Sequence, residues 1–133
     1  MDELLEAEIE VSGDLRLRSR RTELISRCAD LGRFLYSVNE VNWARWVEAR
    51  IAEIRIGQRE GVENLLAGFV GLGNIGEVFL CPEAGHDLGP GEEAALNEQF
   101  LLMLSKVAAV ARDLEDILGG PRRKMATAGM PVA

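Results

Sequence analysis

The stretch Phe69-Val70-Gly71-Leu72-Gly73-Asn74-Ile75-Gly76 decides the fold, because it admits two readings. Its spacing is G-x-G-x-x-G, the phosphate-cradling fingerprint of dinucleotide-binding enzymes. That fingerprint needs a buried strand before the first glycine and a long helix after it. It also needs a second strand ending about 20 residues on with an acidic residue for the ribose. Leu65 to Val70 could be such a strand. The downstream side does not comply. Glu77-Val78-Phe79-Leu80-Cys81 is β-branched and aromatic, Pro82 stops it, and Gly85, Gly89, Pro90 and Gly91 make a loop. The alternative is a glycine-rich bend leaving a helix, and the context favours it. Gly71, Gly73 and Gly76 are then conformational residues. A nucleotide-binding module or enzyme on this loop is the alternative function.

Outward from the bend, helical periodicity dominates. Leu24, Cys28, Leu31 and Leu35 recur at four, three and four residues, predicting a helix from Ser19 to Tyr36. Ser37-x-x-Glu40 reads as a capping box opening a second helix. Its stripe is Trp43, Val47, Ile51 and Ile54, and Gly57 ends it. A short third helix is expected over Glu60 to Phe69. The last helix is the strongest. Pro90 lies at its first turn, with Glu92 and Glu93 at its positive end. Leu96, Phe100, Met103, Val107, Val110, Leu114 and Ile117 form a heptad-like seam, broadened by Leu101, Leu104 and Ala108. Such a helix is the central strut of a bundle or a homodimer seam, and its breadth favours the strut. Gly119-Gly120-Pro121 ends it.

The expected architecture is mainly α: a single-domain bundle of three to four helices around a long C-terminal helix, with at most a minor β-element near 77–81. Residues 1–15 read as an arm broken at Ser12-Gly13-Asp14, 16–120 as the helical domain, and 121–133 as a disordered tail.

Composition narrows the function classes. The chain has 133 residues, 47% of them hydrophobic, and a net charge of −7. That is one ordinary globular domain. No apolar run has the length of a membrane span, and the acidic start Met1-Asp2-Glu3 is unlike a signal peptide, so the cytoplasm is the expected address. Between Glu60 and Asp116, eleven carboxylates face only Lys106 and Arg112. Such a segment repels phosphate backbones and attracts a basic protein. The cluster Arg16-Leu17-Arg18-Ser19-Arg20-Arg21 is short, lacks aromatic interleaving, and suits pairing with the acidic arm. Cys28 and Cys81 read as free thiols, and one histidine, His86, leaves little for zinc or a triad. His86 reads as a surface-loop residue. No catalytic constellation, metal set or cofactor is expected. Asp113, Glu115 and Asp116 sit at the negative end of the last helix, an arrangement the sequence leaves unexplained.

Trp43-x-x-Trp46-Val47 followed by Leu65-Leu66-Ala67-Gly68-Phe69-Val70-Gly71-Leu72-Gly73-Asn74-Ile75-Gly76-Glu77-Val78 resembles a family of small bacterial proteins with W-x-x-W on a helix and then L-L-x-x-F-G-G-M-G-S-x-N-D-L. Phe69, Gly71 and Gly73 match, while Val70 replaces the pattern's first glycine and Gly76 its asparagine. The likeness spans about residues 40–80. It implies an immunity or accessory protein that neutralises a cognate toxin or effector. The expected function is therefore a non-catalytic, acidic binding module with a basic protein partner. The candidate contacts are Trp46, Asn74, Glu77, Glu83 and Asp87.

Overall fold

A computed structural model describes residues 2–119, with side chains from Leu15 onward except Gln58. The expectations for the tail 121–133, and for pairing between the arginine cluster and the acidic arm, lie outside the described residues. Four helices form the domain: α1 (Asp2–Ser37), α2 (Val41–Ile56), α3 (Gln58–Ala67) and α4 (Glu93–Ile117). The break expected at Ser12-Gly13-Asp14 does not occur, and α1 runs through it for 36 residues. Neither Ser nor Gly forbids a helix. Each only lowers its local propensity, by at most about 1 kcal/mol for Gly.

The helices pack in a ring, α1 against α2 and α4, and α3 against α2 and α4. Helix α4 runs antiparallel to α1, since Phe34 stacks on Phe100 at 6.0 Å while Arg20 reaches Asp113. The stripe Leu24, Cys28, Leu31 and Leu35 is fully buried, as are Val47, Ile54, Val62, Leu65, Phe100 and Leu114. Every seam residue of α4 is buried or half-buried within the chain, so α4 is the strut. Leu101 departs from expectation: it is 57% exposed, on the helix face away from the core.

The end of α1 corrects the expected capping box. The Ser37 hydroxyl donates back to the Phe34 carbonyl at 2.6 Å, and α2 has no side-chain cap. Asn39 instead takes φ 63°, with the Glu40 amide donating to the Leu35 carbonyl and the Asn39 amide to Tyr36. That is a Schellman stop with asparagine at the left-handed position. The Glu40 carboxylate is released for another task.

At the other end of the domain, Gly57 alone separates α2 from α3. Gly61 brings the two helices together, as a Cβ there would lie 2.6 Å from the Ile54 backbone nitrogen. At the acidic end of α4, Asp113 has partners on α1, accepting from Arg16 and Arg20 at 3.2 and 2.6 Å. The Arg59 guanidinium donates to the Leu118 carbonyl, at the terminus whose dipole is negative. Asp113 holds the Arg20 pKa above its ordinary value, by hydrogen bond and then by charge.

Among the described residues there is no strand, so the minor β-element near 77–81 is not formed. Val78 and Cys81 have extended backbone, yet no second strand lies beside this segment. The side-chain amide of Asn97, on α4, replaces one. Its Oδ1 accepts from the Leu80 amide at 2.8 Å, and its Nδ2 donates to the Leu80 carbonyl at 2.9 Å. Pro90 likewise lies before α4, in a turn closed by the Glu92 amide on the Gly89 carbonyl.

Candidate functional site

The connection from α3 to α4, residues 68–92, is far longer than the few residues that ordinarily join two helices. It carries four of the five candidate contacts. Its path begins where Gly68 crosses Trp46. A Cβ on Gly68 would stand 2.3 Å from the Trp46 ring, so only glycine fits. Trp46 also meets Trp43 edge-on at 5.2 Å and the Arg50 guanidinium at 5.1 Å. It is thus a half-buried support beneath the bend rather than a free anchor.

The glycine bend is closed by its own side chains. Gly71 and Gly73 take φ of 84° and 73°, the left-handed region where glycine carries no steric penalty. Asn74 Nδ2 donates to the Gly71 carbonyl at 2.6 Å, and Asn74 Oδ1 accepts from the Gly76 amide at 2.7 Å. The Gly73 amide donates to Glu77 at 2.5 Å. Ile75 is fully buried, and its amide donates to the Gly68 carbonyl at 3.0 Å. The amides of Gly73 and Gly76, which a dinucleotide loop turns on a pyrophosphate, are occupied here. The element before the bend is α3 rather than a strand, and the element after it is a three-residue 3-10 turn, Ile75–Glu77.

Further along, a second turn, Pro82–Ala84, ends at Gly85 with φ 89°. His86 follows, and it corrects the expectation of a surface loop residue: only 9% of it is exposed. The Cys81 amide donates to His86 Nδ1 at 3.0 Å. Nε2 donates to Glu40 Oε2 at 2.5 Å. Two further bonds run alongside. Asn39 Nδ2 donates to the Gly85 carbonyl, and the Asp87 amide to the Val38 carbonyl, each at 3.0 Å. The left-handed turn after α1 is therefore fastened to the connection at three successive residues.

Cys81, His86 and Glu40 share the residue types of a nucleophile, base and acid set. Their geometry is different, for both imidazole nitrogens are engaged, one by a backbone amide and the other by the carboxylate. Cys28 is fully buried, and burial pushes its thiol up to about 12. No group of three or more metal-ligating side chains occurs among the described residues.

Beyond these fastenings, a distinct set of side chains faces solvent. Leu72 is 101% exposed, Phe79 60% and Val70 57%. Glu77, Glu83, Asp87 and Glu92 are exposed on the same connection. Of the candidate contacts, Glu83 and Asp87 are surface carboxylates with no partner among the described residues, and Asn74 and Glu77 hold the bend. Helical periodicity does not point to this exposed apolar trio. Its signal was Leu72 between two glycines, a large apolar side chain at a position that cannot pack inward. Comparison with protein families, curated proteins and solved structures found no match.

Proposed function

We propose that this chain is a non-catalytic binding module of the bacterial immunity or inhibitor type, which docks a basic protein partner on the connection between α3 and α4. One observation carries the reading: a long connection fastened by hydrogen bonds to itself and to the helices presents Leu72, Phe79 and Val70 to solvent, with exposed carboxylates on the same segment. A pre-shaped apolar tip costs little ordering entropy on binding. The surrounding carboxylates speed encounter with a cationic surface. Leu72 and Phe79 make the central contact, Glu83 and Asp87 the rim, and Asn74, Glu77 and Trp46 hold the shape.

The test begins with capture from a bacterial lysate and continues with the purified partner. Leu72→Asp should weaken its binding at least about tenfold. Glu83→Lys with Asp87→Lys should slow association and flatten its salt dependence. Binding by a protein that ignores all three changes would remove this surface from the reading. A rise in melting temperature with NAD(P) would favour the nucleotide alternative instead.

A further inference from the structure

The outer face of α4 carries a second, unrelated pattern. Helix α4 is apolar enough for a core position along its length, yet only 28% of its most apolar 18-residue window is buried. Leu101 and the neighbouring Leu102 are 57% and 55% exposed. Along this face Glu98, Leu101, Ser105, Ala109 and Arg112 are all exposed. Their spacing is three, four, four and three residues, which places them on one helical row and makes the row symmetric about Ser105.

A row with that symmetry matches itself when reversed. An antiparallel copy crossing at Ser105 sets Leu101 against Ala109, large against small, and does so twice. It also sets Glu98 against Arg112, opposite charges, again twice. Glu98 and Arg112 have no partner among the described residues of their own chain, and Lys106 lies at the edge of the row. Ser105 and Ala109 allow close approach at the crossing. This is what a two-fold isologous interface requires, the same patch on both subunits with each residue meeting its complement.

We propose that the outer face of α4 is a self-association surface, on which a second copy of this chain packs antiparallel about Ser105. The row spans about 21 Å of helix. That places the contact in the small, weak class, with dissociation at micromolar concentrations or above. It uses none of the residues assigned to partner binding, and its readout is mass rather than capture of a partner, so the two readings fail separately.

Sedimentation equilibrium of the full chain tests it. The mass should rise with concentration from 14.6 kDa toward twice that value. Glu98→Arg alone, or Arg112→Glu alone, brings like charges together at two places and should raise the dissociation constant about tenfold or more. The double variant exchanges the charges and should restore association. Unchanged melting temperatures would exclude misfolding, because both side chains are exposed. A monomer at every concentration, a dimer indifferent to either reversal, or a double variant that does not recover would overturn the proposal. So would a monomer that binds neutral phosphatidylcholine vesicles through Leu101 and Leu102, for the face would then belong to lipid.

Discussion

The helical ring and the connection across residues 68–92 are held by different forces. In the ring, Leu24, Leu35, Val47, Leu65 and Phe100 are buried among other apolar side chains, and any of several hydrophobic residues of similar volume would serve. In the connection only Ile75 and Leu80 are fully buried. Its shape rests on named donors and acceptors: Asn74 on Gly71 and Gly76, Asn97 on Leu80, His86 on Cys81 and Glu40. A bundle tolerates exchange and resists local opening. A polar-fastened segment does the reverse, since removing one partner strands the other.

Substitutions separate the two regimes. The largest effect belongs to the ring. Phe100→Ala should destabilise the whole domain by about 3–5 kcal/mol, with one cooperative transition in urea. His86→Ala comes next, at about 2–3 kcal/mol, because the Cys81 amide and the Glu40 carboxylate lose a buried partner. Its signature differs, with hydrogen exchange rising across residues 76–90 while the amides of α1 and α4 stay protected. Uniform loss of protection would break the contrast between the regions. Gly71→Ala should be the mildest, at roughly 1–2 kcal/mol, because a Cβ there meets nothing within 4 Å and only the positive φ opposes it.

Thiol chemistry gives a further separation without mutation. Cys28 in the ring should resist alkylation until the domain unfolds, whereas the half-buried Cys81 of the connection should react in the native state. The pH dependence follows in sign. The Cys28 thiol is raised from 9.0 to about 12 in the folded chain, so below pH 9.0 it stays protonated folded or unfolded. Above that the unfolded chain loses the proton first, and stability should fall as the pH rises toward 12. A Cys28→Val variant, which has no thiol to ionise, should lose part of that alkaline decline.

The ring was legible in the sequence and the connection was not. Periodicity reports burial on regular elements, and it marked Leu24, Cys28, Leu31, Val62 and the α4 seam correctly. It has no bearing on residues 68–92, where Ile75, Leu80 and His86 turn inward one at a time. Ser37-x-x-Glu40 has the letters of a capping box. Asn39 prevails because its left-handed turn keeps Ser37 inside α1, where the hydroxyl bonds its own helix. The partner of Glu40 lies 46 residues away at His86, and no local rule could find it. The glycines fared differently. Gly71 and Gly73, for which the sequence predicts a conformational role, have positive φ. Gly68 carries no such local signal, because its reason is the Trp46 ring rather than its own backbone.

That last pairing bears on how the chain can change over time. The contact leaves no room for a side chain at position 68 while a tryptophan stands at 46. A lineage that first replaced Trp46 by a smaller residue would be released from glycine at 68. One that first replaced Gly68 would displace the indole and the bend together. The accessible order of substitution therefore runs one way, and related chains should show alanine or larger at 68 only where 46 is no longer tryptophan.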